Sequence, residues 1–105
     1  MSLIMKREEF IATVGYQGDT ALVDKNLLRT VKDLDTGALL EKGFYKAAFC
    51  SALYKSSESG DFSEEQLVLE NYNNNHGVQV PSVEALKRIF GVYNIPEHIE
   101  RTSLI

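Results

Sequence analysis

From Leu39 to Tyr54 the chain reads LLEKGFYKAAFCSALY, and apolar or small residues project from it in nearly every direction. On a helical wheel, Leu39, Gly43, Cys50 and Tyr54 form one sector with Leu40 and Ala47 beside it, while Tyr45, Phe49 and Leu53 lie nearly opposite. Two sides of such a helix ask for burial, so other elements or a second chain must cover most of it. Gly43, Ala47 and Ser51 recur every fourth residue, a spacing that lets another backbone come close. The run includes Glu41, Lys42 and Lys46 and falls short of the about 20 apolar residues that a bilayer span needs. The pattern predicts a central helix over 37–55, with Asp35 or Thr36 as its N-cap.

Shorter periodic stretches flank it. Phe10 and Val14 share a helical face in KREEFIATV, with Gly15 placed to end that helix. Val23, Leu27, Val31 and Leu34 trace a second helical stripe behind Asp19 or Thr20 as cap. Residues 11–24 also fit a β-hairpin, with Gly18-Asp19 as a two-residue turn that sets Val14 opposite Val23. A lone hairpin is marginal and only Val78-Gln79-Val80 offers a third strand, so helices are taken as the main expectation. After the polar loop Lys55–Asp61, Ser63 and Gln66 spell a capping box, with Phe62 and Leu67 as its hydrophobic staple. That helix runs to the Asn73-Asn74-Asn75-His76-Gly77 terminus. Ser82 caps the next, in which Val83, Leu86, Ile89 and Phe90 face inward, and Pro96 opens a last short helix over 97–102. The expected fold is mainly α: one domain over 1–105, a compact bundle of five or six short helices around the central one, with an α+β arrangement carrying the hairpin as the alternative.

Composition narrows the function classes. Hydrophobic residues make up 44% and charged residues 25% of the chain, a globular balance and not a disordered one. Residues 1–34 carry five charges of each sign and residues 76–105 three of each, whereas residues 35–75 carry seven acids against three bases. A net charge of −4 with the excess acid in the middle disfavours extensive phosphate-backbone binding without excluding a local basic strip. Cys50 is the only cysteine, so an intramolecular disulfide framework is ruled out. The opening MSLIMKREEF lacks the apolar core and cleavage site of a signal peptide, and the cytoplasm is the expected compartment. Met1-Ser2-Leu3 reads either as native or as a cloning remnant ahead of a start at Met5.

Candidate chemistry is sparse. His76 and His98 stand apart, with no second His, Cys or carboxylate at a ligand spacing, so no metal or cofactor is expected. Cys50, among Phe49, Ala52 and Leu53, reads as a packed thiol with a raised pKa and not as a nucleophile. Asp33-Leu34-Asp35 resembles the start of a calcium loop, but Gly37 falls where an oxygen ligand is needed and Phe44 where the bidentate Glu belongs. Asn73, Asn74 and Asn75 suit a helix terminus better than a ligand site.

Two short segments resemble known families. Pro81-Ser82-Val83-Glu84-Ala85-Leu86-Lys87-Arg88-Ile89-Phe90-Gly91-Val92 is similar to the closing helix of phage-repressor-type helix-turn-helix domains, with a shortened stretch before Gly91 and an acidic segment, 64–70, where a recognition helix would stand. That resemblance implies a DNA-binding regulator using residues 63–92, with Lys87 and Arg88 on phosphates. Gly43-x-Tyr45-x-x-Ala48 and Gly60-Asp61-Phe62 resemble fragments of tetratricopeptide-type repeats, at an interval of 17 residues where such a repeat needs about 34. Neither match assigns the chain to a family. The expected function is therefore a non-catalytic interaction or regulatory module, with a protein partner or a second copy of itself. Its contact surface is expected at Tyr45, Phe49 and Leu53, with Lys42 and Lys46 around them. A DNA-binding regulator is the alternative, followed by an enzyme assembled from distant groups such as His76 with Glu70 or Asp61. No membrane association is expected.

Overall fold

A computed structural model describes residues 5–105, so Met1–Leu3 lie outside the described residues. The chain is mainly helical with one small sheet. In order it forms α1 (Arg7–Ile11), β1 (Thr13–Gln17), β2 (Thr20–Val23), α2 (Lys25–Val31), α3 (Thr36–Glu41), α4 (Tyr45–Ser59), α5 (Ser63–His76), α6 (Val83–Phe90) and β3 (Arg101–Leu104). Strand order is β1-β2-β3; β1 and β2 are antiparallel, and β3 joins β2 in parallel.

The expected central helix is present as two helices. Gly43 adopts φ +82°, and its N–H donates to the Leu40 carbonyl at 3.1 Å while Phe44 N–H reaches the Leu39 carbonyl at 2.9 Å. This is a Schellman ending of α3, and α4 restarts at Tyr45 in a new direction. Gly43 thus serves as a helix stop and not as a small residue in a packing stripe. Asp35 caps α3 as expected, its Oδ1 accepting the Ala38 N–H at 2.8 Å.

From Ala47 to Tyr54 every residue of α4 is buried, which is the all-round burial that the sequence demanded. The covering elements belong to the same chain: α4 packs on α1, α3 and α5. Phe10 of α1 approaches the Tyr54 ring at 6.3 Å and Phe90 of α6 approaches Phe49 at 5.5 Å. Tyr54 also donates its hydroxyl to the Met5 carbonyl at 2.7 Å, and Arg7 donates to Ser51 Oγ, which meets Thr36 Oγ1 at 2.9 Å in the interior.

The N-terminal third follows the hairpin alternative. The first helix stops at Ile11, Val14 lies in β1, and the second helix begins at Lys25 with Asp24 as cap, its Oδ1 accepting the Asn26 and Leu27 N–H groups at 2.9 and 3.1 Å. Gly18, at φ +60°, with Asp19 makes the two-residue turn, the type II′ signature of a glycine at the first central position. A bulge shifts the register so that Thr13, and not Val14, faces Val23. The third strand is not 78–80. In place of a last helix over 97–102, Arg101–Leu104 forms a strand that pairs with Thr20–Val23, and its entry is pinned by Glu100 N–H on the Asp19 carbonyl at 2.8 Å and by Thr102 Oγ1 on Glu9 Oε2 at 2.8 Å.

The two later helices run close to expectation with local corrections. Ser63 does not cap α5; it is the first helical residue, Phe62 occupies the cap position, and Asp61 Oδ1 accepts the Ser63 N–H at 2.9 Å. Phe62 and Leu67 remain exposed. Ser82 caps α6 through the Ala85 N–H at 3.3 Å, and Leu86 is fully buried, but Ile89 is half exposed.

Glu65, in the first turn of α5, is a buried carboxyl whose polar partner is the Ser56 hydroxyl, 3.5 Å away. Desolvation raises its pKa above the ordinary 4.5, partly offset by Lys87 nearby. The folded state therefore holds this proton more tightly than the unfolded state, and stability falls as pH rises through the folded pKa. Glu65→Gln is expected to be more stable than the parent at pH 7. That advantage should shrink as pH falls through the raised folded pKa and be gone below the ordinary value of about 4.5, which urea melts at several pH values will check.

Candidate interaction groove

Among the described residues β1 is an edge strand, paired only with β2. In a two-residue hairpin the closing pair, here Gln17 and Thr20, exchanges hydrogen bonds, so alternation along the ladder turns the N–H and C=O of Tyr16 away from β2. The bulge leaves Val14 outside the ladder as well. Both side chains are exposed, Val14 to 54% and Tyr16 to 44%. A bare strand edge flanked by exposed apolar side chains is a template for another extended chain.

Between this edge and α4 lie two adjoining hollows of about 320 and 310 Å³. Thr13, Val14, Lys46 and Cys50 line both. The first extends toward Phe10, Val92 and Tyr93, the second toward Leu27, Phe44 and Tyr45. Among the described residues, Lys46 is the one charged side chain lining either hollow, and no acidic side chain pairs with it. The start of α4 opens onto the second hollow. Its cap residue, Phe44, offers no side-chain acceptor to the first-turn N–H groups, so the positive end of a 15-residue helix, with Lys46 in its first turn, lines this hollow.

Cys50 sits at the floor. Burial pushes its thiol up to about 12, with Lys46 pulling modestly the other way, so the sulfur is protonated and unreactive at neutral pH. Tyr16 is half covered, and that partial burial pushes its phenol up to about 12, with proximity to Cys50 adding to the shift. The groove is thus an apolar trough with hydrogen-bonding backbone along one wall and positive charge at one end.

The residues named from sequence do not form one surface. Phe49 and Leu53 are buried in the core, Tyr45 is half buried, and Lys42 and Lys46 are exposed. Of the five, Tyr45 and Lys46 line the groove. Phe49 and Leu53 are therefore withdrawn as contact anchors, because the chain's own helices already cover them. What the sequence reading missed is Val14 and Tyr16, whose exposure follows from the bulged edge strand.

Other candidates have local tasks. Asn73 clamps the following loop, its Nδ2 donating to the Val80 carbonyl at 3.1 Å and its Oδ1 accepting the Val80 N–H at 2.9 Å. Asn75 donates to the Tyr45 hydroxyl at 2.9 Å. His76 stacks on Tyr72 with ring centroids 4.2 Å apart, its Nδ1 3.0 Å from the Tyr72 carbonyl, and His98 is exposed. Among the described residues, no three His, Cys, Asp or Glu side chains gather into a metal-binding group. On α6, Lys87 is mostly covered and lies 3.6 Å from Glu84, whereas Arg88 is exposed. No helix among the described residues is long and apolar enough to cross a membrane.

Comparison with protein-family models, with curated proteins and with solved structures finds no match to this chain.

Proposed function

We propose that this chain is a non-catalytic, cytoplasmic interaction or regulatory module that engages a protein partner through the β1 edge and the groove beside it. The observation that carries this reading is the pairing of an open strand edge, with Val14 and Tyr16 exposed, and an apolar trough between that edge and α4. Main-chain groups on such an edge supply affinity, and the trough supplies side-chain selectivity. The protonated Cys50 at the floor serves packing, not nucleophilic attack.

A photo-cross-linking phenylalanine analogue placed at position 14, compared with the same group at the exposed Glu84 of α6, tests the reading. The expected result is a discrete protein adduct at position 14 and none at position 84, abolished when Tyr16→Asp is added. Adducts of equal yield at both positions, or none at position 14, would overturn it.

A further inference from the structure

We infer that the groove receives the extended C-terminal end of a partner polypeptide, its last residues adding as a strand antiparallel to β1 and its terminal carboxylate resting at Lys46 and the open start of α4. The inference rests on the interaction reading above and names the partner's chemistry.

Charge selects the ligand end. The chain as a whole is acidic, with a net charge of −4, yet among the described residues the trough presents one cation and no anion. An apolar peptide with an internal carboxylate would have to bury the remaining backbone on both sides of it; a chain end brings the carboxylate without that burden. The first-turn N–H groups of α4, uncapped by Phe44, supply directional donors of the type that capture a terminal carboxylate. Lys46, the second residue of that turn, supplies the countercharge.

Direction follows from placement. The hollow that contains the start of α4 meets β1 at Thr13 and Val14, while the other hollow continues along β1 to Tyr16. A ligand with its carboxylate at the Thr13 end therefore runs opposite to β1, and the five residues of the strand set a footprint of about five ligand residues. Alternation places the last ligand residue and the second before it on the same face, toward the apolar floor formed by Phe10, Cys50 and Val92. Both are expected to be apolar.

A random decapeptide library displayed with free C-termini, selected on the full chain, provides the probe. Enriched sequences are then synthesised with a free or an amidated end and titrated into ¹⁵N-labelled protein. The expected result is enrichment of apolar residues at the last position and at the second before it, with shifts confined to 13–17 and 44–50. Amidation should weaken binding about tenfold, the scale of one lost charge-assisted hydrogen bond. Lys46→Glu should do the same while leaving the circular dichroism spectrum and melting point intact, since an acidic residue in the first turn of a helix is favourable; Lys46→Arg should retain most of the affinity. Amides that bind as tightly as free acids would overturn capture of a chain end while leaving the interaction module standing. Shifts elsewhere on the protein, no enrichment at all, or protection of the Tyr16 amide that grows with protein concentration would overturn the inference, the last because a second copy would occupy the edge. Loss of the position-14 adduct described above is the separate failure that would remove the interaction reading itself.

Discussion

Phe49→Ala is expected to destabilise the protein by about 3–5 kcal/mol, a large fraction of the about 5–15 kcal/mol that holds a domain of this kind together. Phe49, in the second turn of α4, is completely buried, with the Phe90 ring 5.5 Å away. Truncation removes an aromatic ring from a site closed by several elements, and the surrounding backbone can collapse only partly into the void. Urea denaturation should show the midpoint falling with an unchanged slope. Lys42→Ala, on an exposed side chain nearby, should stay within about 0.5 kcal/mol of the parent. A small effect at Phe49, accompanied by weakened self-association, would mean that this ring is a contact anchor and not part of the core.

The second large effect is Gly43→Ala, expected to cost about 1–2 kcal/mol because alanine at φ +82° meets a left-handed penalty. A Cβ at this position would meet nothing within 4 Å, so backbone conformation alone sets the cost. The sign discriminates between two structures. In an unbroken helix over 37–55 the same substitution would stabilise by roughly 0.5–1 kcal/mol, through better helix propensity. Thermal melts of the single variant settle which of the two is present.

The features legible in the sequence are those written locally. Asp35 and Ser82 as caps, Gly77 as the end of its helix, and the Gly18-Asp19 turn of the hairpin alternative all depend on a few neighbouring residues, and the structure uses each of them. Gly43 carried the same signal as Gly77, but its apolar surroundings resemble a helix interior, so the stop was read through. Long-range pairing was the larger loss. Arg101–Leu104 follows a proline that suits a helix start, and it becomes strand because Thr20–Val23, about 80 residues earlier, offers an unsatisfied edge. With that third strand in place the hairpin no longer stands alone, which removes the argument that favoured helices at 11–24.

The candidate site was legible only in part, for the same reason. Tyr45 stands out in the sequence as an aromatic anchor on one face of the central helix and Lys46 as a lysine bordering that face, and both line the groove. The sequence sets Val14 on a helical face with Phe10 or, in the hairpin, opposite Val23; its exposure comes from the one-residue bulge that lifts it out of register with Val23. Phe49 and Leu53 carried the opposite error. The wheel showed correctly that their face needed covering, but periodicity does not reveal which elements do the covering. Here α1, α3, α5 and α6 suffice, so the argument for a second copy on that face loses its premise.

Native-state hydrogen exchange on the full chain tests the central claim, that this chain covers its own central helix and leaves the β1 edge open. The amides of Ala48–Tyr54 should exchange only through global unfolding, at a rate independent of protein concentration, while the Tyr16 amide exchanges rapidly in the native state. Fast exchange across 48–54, protection there that rises with concentration, or a Tyr16 amide as protected as the core would contradict it.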